Sequence, residues 1–335
     1  MNSVHAHADP MLGQSIEGKA AWTRKTLSTS DYLMHLPRTC LAELDAVMKE
    51  IRANPLPAIV WTPDQFNLAA CRKIMAQVKA VLDHGVRFAL LDRLPVESMS
   101  KEEGKTLFWL LSSLIARPVA QKRYAYLPNG MIADVLDTGA KPTPGSGVRP
   151  DQTNVDLIYH NDNAYNRVMP KYIGLLCLQT AKSGGLSRVM SFYTVHNALL
   201  ARFPEHLPRL YQPLVFDRQK EHFPDESPIF SAPVFEYDGQ ALRARLGLHQ
   251  IRSGYAMIGE PIDVETQAAI QALDQVFADT SLSFDFMMER GQMQFANNRQ
   301  IGHSRTQFED HEAPEARRHM VRLWMRDEGH RGYGG

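Results

Sequence analysis

Apolar residues recur at helical spacing through the first third of the chain. Leu41, Leu44, Val47, Met48 and Ile51 fall along one stripe, which predicts a helix over 41–52. A Pro-rich break, Asn54-Pro55-Leu56-Pro57, follows it. Thr62-Pro63-Asp64 reads as the start of a second helix, with proline early in the first turn; Ile74, Val78 and Val81 carry it on to His84-Gly85. Residues 86–91 form a short β-like run, and 101–117 a third helix ended by Pro118. From about residue 154 the pattern shortens. The seven apolar residues 172–178 read as a buried strand, and 281–288, 293–297 and 319–326 as late strands. Glu289-Arg290-Gly291-Gln292 looks like a hairpin turn joining the first two of these. Helices interrupt near 193–203 and 263–278. Helices first and many short strands afterwards predict a mixed α+β fold, with a β-sandwich or jelly roll buttressed by helices.

Two regions stand outside this pattern. Residues 1–30 are polar without a sustained apolar period and are expected to form a flexible arm, with His5 and His7 as part of a tail rather than of a metal site. Residues 31–335 are then read as a single domain. Residues 127–153 are rich in Pro and Gly and are expected to be a long loop, a candidate lid. Apolar residues make up 44% of the 335 and charged residues 22%, which excludes a wholly disordered chain. Lys plus Arg (37) equals Asp plus Glu (37), so the chain lacks the electrostatic footprint of a nucleic-acid binder. Cys40, Cys71 and Cys177 lie far apart and offer neither a disulfide framework nor a paired zinc knuckle. No apolar run is long enough to span a bilayer, and no signal-peptide pattern opens the sequence. These readings lead to the expectation of a cytoplasmic protein acting on a small molecule, with neither nucleic acid nor membrane as partner and with homo-oligomerisation left open.

The chemistry concentrates in four places. In Tyr159-His160-Asn161-Asp162, strand alternation points His160 and Asp162 to the same side, where an imidazole and a carboxylate can take adjacent positions on one metal. His303, in the polar segment 297–305, is the candidate third ligand; two imidazoles and one carboxylate suit a divalent first-row metal and leave positions open for Fe(II) oxygen chemistry. In 318–326, period two places Arg318, Met320, Arg322, Trp324 and Arg326 on one face. A guanidinium aimed inward needs an anion, and its planar fork suits a carboxylate; an outward face would instead be the wet side of an edge strand. Ser183-Gly184-Gly185-Leu186-Ser187 is a tight turn whose Ser187 hydroxyl can add a hydrogen bond to a bound acid.

In this order the four elements resemble the TauD/TfdA-type family of Fe(II)/2-oxoglutarate-dependent dioxygenases, and the neighbouring clavaminate-synthase-like and γ-butyrobetaine-hydroxylase-like groups. The family pattern is H-x-D/E, a Gly-Gly turn followed by Thr or Ser, a distal His, and an Arg some 13 to 15 residues later. Here it reads His160-x-Asp162, Gly184-Gly185-x-Ser187, His303 and Arg318, over roughly residues 154–326. Ser187 stands where Thr is the commoner residue, and Arg317, Arg318 and Arg322 compete for the acid-binding role. The R-x-x-x-R ending found in related proteins matches Arg318 and Arg322, and alternation turns Arg317 to the opposite face.

The resemblance implies a double-stranded β-helix (jelly roll) with Fe(II) on His160, Asp162 and His303. It implies 2-oxoglutarate with its far carboxylate on Arg318 aided by Ser187, and O2 as co-substrate. The implied reaction decarboxylates 2-oxoglutarate to succinate and CO2 while oxidising a C–H bond, by hydroxylation first, of a small charged metabolite such as an amino acid. Desaturation or cyclisation on the same site stays open, as do a zinc hydrolase built on the same ligands and a binding protein without turnover. Arg322, about 13 Å along the strand from Arg318, is a candidate for a substrate carboxylate or sulfonate. Asn154, Asp156, Asn163, Tyr165, Arg299 and Arg305 are further candidate substrate contacts.

Overall fold

The computed structural model describes residues 11–122, 130–141 and 150–333. Its helical part contains the short α1 (Thr29–Tyr32), which runs into strand β1 (Leu33–His35), followed by α2 (Arg38–Ala53) and α3 (Ala69–His84). Then come β2 (Phe88–Asp92), α4 (Lys101–Ser113), β3 (Arg117–Val119) and β4 (Ile132–Val135). α2 buries Cys40, Leu44, Val47, Met48 and Ile51, the stripe that its periodicity predicts.

α3 begins later than its sequence suggests. Pro63–Gln65 is a separate 3-10 turn, closed by a capping box between Thr62 and Gln65. The helix proper is capped from outside, because the Glu43 carboxylate of α2 accepts from the backbone N–H groups of Ala70 (2.8 Å) and Cys71 (2.9 Å). The same docking of α2 on α3 brings Cys40 and Cys71 together as a buried disulfide, with Cα atoms 4.8 Å apart. This corrects the expectation of unpaired cysteines: 31 residues of separation conceal two helix starts that meet in space. The predicted helix to 117 also stops early, at Ser113, since Arg117–Val119 pairs as a strand with the C-terminal strand.

The remaining strands are β5 (Leu157–His160), β6 (Tyr172–Gln179), β7 (Ser183–Gly184), β8 (Ser187–Ser191), β9 (Leu214–Asp217), β10 (Ile229–Ala232), β11 (Phe235–Tyr237) and β12 (Leu242–Ala244). They continue with β13 (Ser283–Phe286), β14 (Met293–Asn297), β15 (Ile301–Arg305), β16 (Phe308–Glu309) and β17 (His319–Arg326). Three helices intervene: α5 (Phe192–Arg202), α6 (Leu248–Ile258) and α7 (Val264–Phe277). The larger sheet runs β1-β2-β14-β6-β17-β3, with β4 also on β17; the smaller runs β13-β8-β15-β5. Only β1–β2 is parallel in these two sheets.

Strand alternation divides the larger sheet into two apolar faces. Phe295, Val321, Leu323 and Met325 belong to the core shared with α2, α3 and α4. Met320, Trp324, Ile173 and Ala296 belong to a core shared with Val189, Phe286 and Ile301 of the smaller sheet. The arginine-bearing face of β17 therefore turns inward between two sheets, and the wet-edge reading does not hold. Phe295 is fully buried, so Phe295→Ala is expected to lower stability by about 3–5 kcal/mol, measured by denaturant unfolding.

Three further expectations change. β13 and β14 lie in different sheets, so 289–292 is a crossover and not a hairpin turn. Gly291 is required there: its φ is 81°, and a Cβ would lie 2.1 Å from the Leu94 carbonyl oxygen. The arm reading fails from residue 16 onward. Trp22 is buried and its indole donates to Val86 O (2.8 Å), while Ile16 exchanges two hydrogen bonds with the Asn197 side chain. The Trp22 anchor and side-chain clamps from Ser191, Thr194 and Asn197 on the backbone of 16–22 hold this segment without any apolar period. His5 and His7 lie outside the described residues. Within 127–153, Ile132–Val135 is strand β4 and Pro150–Gln152 a 3-10 turn; 127–129 and 142–149 lie outside the described residues. Among the described residues no helix is long and apolar enough to cross a membrane.

Candidate metal centre and adjoining cavities

β5 and β15 pair antiparallel with His160 directly opposite His303. Directly opposed side chains project from one face of a sheet, and the two rings stand with centroids 4.2 Å apart. Asp162 lies just past the end of β5, where Asn298 holds its backbone from both sides: Asp162 N–H donates to Asn298 Oδ1 (2.9 Å) and Asn298 Nδ2 donates to Asp162 O (2.9 Å). Asn161 braces the same corner, accepting from Leu246 N–H (2.7 Å). The result is a three-ligand face. Asp162 Oδ1 lies 3.5 Å from His160 Nε2 and 3.6 Å from His303 Nε2, and the ligand atoms of all three fall within 4.8 Å of one another.

The protonation states suit a cation. His160 Nδ1 donates to Ile158 O (2.9 Å), which fixes the tautomer that leaves Nε2 with a free lone pair. Burial, and then the neighbouring His160, lower the His303 pKa and favour a neutral imidazole. Burial alone would raise Asp162, but the Arg322 charge and the neighbouring imidazoles hold it well below the usual carboxylate range. Its second oxygen is taken up by the protein: Trp324 Nε1–H donates to Oδ2 (2.7 Å), and Arg322 Nη1 lies 3.5 Å from the same atom. Trp324→Phe keeps the packing and removes the donor. It is expected to weaken Fe(II) affinity by about 10–100-fold, read by equilibrium metal titration.

The cavity beside the imidazoles is lined by Ser187, Gln294, Arg305 and Arg318 together with His160 and His303. Arg318 is 6% exposed, lies over the Phe308 ring, and has Nη1 buried without an acceptor among the described residues. Burial, then Arg305, lowers its pKa to about 10. Ser187 stands opposite Arg305 across β8–β15. Arg317 is exposed and its side chain donates to the backbone carbonyls of His311 and Glu312, on the outside as alternation predicts. Gln294 was missed by sequence reasoning: it is a buried amide between Met293 and Phe295, with Oε1 unpartnered among the described residues. Gly184 sets the turn that leads into this wall, with φ 71° and a Cβ that would meet Gln307 O at 2.3 Å. Gly184→Ala is expected to cost about 1–3 kcal/mol, read as a lowered thermal midpoint.

A second cavity of about 260 Å³ opens on the other flank of His160 and Asp162. Asp156, Asn163, Tyr165 and Arg322 line it, as do Trp324 and three residues without a sequence signal, Gln219, His249 and Gln250. Several of the candidates are already engaged. Arg322 donates to Gln121 Oε1 (2.9 Å) and pairs with Asp151 (3.2 Å) as well as with Asp162. The Asn163 amide donates to Val168 O, and its oxygen accepts from Asn166 and Tyr333. Asp156 accepts from Gln307 N–H (2.7 Å), and the Asn154 carbonyl accepts from Phe308 N–H (3.1 Å). Arg305 binds the carbonyls of Thr153 and Val155, tying the approach to β5 against the metal-side cavity. Arg299 lines neither metal-facing cavity; it sits in the turn between β14 and β15 and donates to Met169 O (3.3 Å).

Similarity to known proteins agrees with this geometry. FR-33289 synthase of Streptomyces rubellomurinus is 27% identical over 328 residues, covering 96% of this chain and 93% of that protein. Taurine hydroxylase-like protein SAT17 of Stachybotrys chartarum is 23% identical, with 96% and 82% covered. Among solved structures, asparagine oxygenase with Fe(II), 2S,3S-3-hydroxyasparagine and succinate superposes with a TM-score of 0.63 at 17% identity, covering 88% of this chain and 94% of that one. The non-heme iron oxygenase OrfP with Fe and alpha-ketoglutaric acid gives 0.63 at 13% identity, with the same coverage. Residues 53–324 match the sequence pattern of one family across most of the chain. The chain therefore belongs to the taurine catabolism dioxygenase TauD, TfdA family.

Proposed function

We propose that the protein is an Fe(II)/2-oxoglutarate-dependent oxygenase that hydroxylates a C–H bond of a small charged metabolite, an amino acid or another carboxylate. One observation carries the reading: two imidazoles and a carboxylate converge beside a buried guanidinium whose Nη1 has no hydrogen-bond partner among the described residues. The donor set fits ferrous iron, and the orphaned Arg318 Nη1 fits the far carboxylate of a keto diacid. We infer further that the two facing sheets form the double-stranded β-helix of this family.

When bound, Fe(II) with 2-oxoglutarate and O2 supplies the oxidation of a C–H bond coupled to decarboxylation of the keto acid to succinate. The chain's own residues do the rest. His160, Asp162 and His303 hold the metal from one side. Trp324 and Arg322 keep one Asp162 oxygen turned away, so the other faces the imidazoles. Arg318 and Ser187 orient the co-substrate. The 260 Å³ cavity receives the metabolite against Tyr165, Asp156 and the Asp162 flank. An amino-acid substrate is supported by the hydroxyasparagine and hydroxyarginine in the asparagine oxygenase and OrfP structures.

The test is anaerobic titration with Fe(II) and 2-oxoglutarate, followed by an amino-acid screen read by O2-dependent succinate release. A metal-to-ligand charge-transfer band is expected, absent in His160→Ala, together with succinate above the substrate-free background. Activity with Zn(II) and without O2 would instead identify a hydrolase.

A further inference from the structure

A second cleft shares no lining residue with the cavities at the metal centre. Its two lobes, of about 180 and 590 Å³, meet at Val168, Arg243 and Arg299. Four separate segments bring arginines to it: Arg167 ahead of β6, Arg245 just after β12, Arg299 between β14 and β15, and Arg326 at the end of β17.

The charges here do not balance. Asp83 and Asp327 are matched by Lys79 and Lys171, and Arg243 by Asp238. That leaves the four arginines facing Glu236 and Glu328, an excess of two positive charges. Among the described residues, Arg245, Arg299 and Arg326 donate to backbone carbonyls and make no close ion pair. Arg245 Nε and Arg326 Nε are buried with no acceptor, and Arg326 is 3% exposed. Burial, and after it the Arg299 charge, lowers the pKa of Arg326. For Arg245, burial again leads, and Glu236 and Arg299 pull in opposite directions. A buried guanidinium without a counter-charge is costly, so such a cluster persists best when an anion joins it. Forks arriving from several directions suit a group with three acceptor oxygens and nearly two charges better than a planar monoanion.

We propose that this cleft binds a dianionic phosphoryl group, as inorganic phosphate or as a phosphate monoester, on Arg245, Arg299 and Arg326 with Arg167 at its exposed edge. The test is isothermal titration calorimetry of the full chain with inorganic phosphate and with phenyl phosphate, in chloride buffer of matched ionic strength. Saturable one-to-one binding with Kd below about 1 mM is expected. It should persist in Arg318→Gln, weaken about tenfold in Arg299→Gln and weaken about threefold in Arg167→Gln. Arg167 is exposed, so its variant decides the matter if Arg299→Gln does not fold. Tighter phenyl phosphate would assign the site to a monoester, and tighter phosphate to the free ion; either supports the site. Three results would overturn it: no saturable binding at about 10 mM, loss of binding in Arg318→Gln, or unchanged binding in both cleft variants.

Discussion

Alanine at His160 is expected to abolish stoichiometric Fe(II) binding and to lower succinate formation by about 10³-fold or more. The magnitude follows from a comparison: removing a residue that merely orients a ligand costs about 10–100-fold, and His160 supplies a ligand atom itself. The fold should survive. His160 is partly exposed, its ring donates to Ile158 O beside Asp162 and His303, and the β5–β15 pairing is made by the backbone. Metal content by elemental analysis, far-ultraviolet circular dichroism and turnover, measured on one preparation, check all three statements. Full iron occupancy in this variant would remove the basis of the proposed function. The contrast with Trp324→Phe sharpens the test, because that variant should still bind Fe(II), only more weakly.

Arg318→Met should split stability from affinity. In the free protein the guanidinium is buried with Nη1 unpartnered and Arg305 nearby. Removing a buried charge that lacks a close ion pair among the described residues, while keeping an apolar stem over Phe308, is expected to raise the thermal midpoint of the metal-free protein by about 2–4 °C. On the proposed function, the same change removes a charge-assisted, bidentate-capable contact to the co-substrate. A loss of about 1.5–3 kcal/mol there corresponds to a 10- to 150-fold rise in KM for 2-oxoglutarate. Opposite signs in the two measurements mark a residue held in place for a ligand. A fall in both would mean that Arg318 is structural. A KM that does not move would transfer the anchoring role to Arg305 or Arg322.

The clustered His160, Asp162 and His303 and the cavity-lining Ser187 and Arg318 were legible because their information is local or ordered along the chain. His160 and Asp162 are two residues apart, Ser187 follows a Gly pair, and Arg318 differs from Arg317 by the parity of a strand. The role of Arg322 was not legible. Its position on the inner face was, but its partners Gln121, Asp151 and Asp162 come from three other segments, and they make it a charge neighbour of a metal ligand. Arg299 shows the opposite failure: it lies four residues from His303, yet the β14–β15 turn carries it to a different cleft. Trp324 gave no signal beyond an apolar side chain on the inner face, because an indole hydrogen bond across 162 residues leaves no periodicity.

By itself, the sequence determined where α2 and most of α3 run, that 172–178 is buried, which residues of β17 share a face, and that His160 and Asp162 stand together. These follow from side chains alternating or recurring along one element, a property of neighbours in the chain. Only the tertiary structure decided that 289–292 crosses between sheets, that Glu43 caps α3, that Cys40 meets Cys71, that 16–22 is anchored, and which arginine serves which cavity. Those outcomes depend on which elements come to lie side by side. Strand order and helix docking are set by contacts among residues tens to hundreds of positions apart, and a pattern read along one segment carries no record of them.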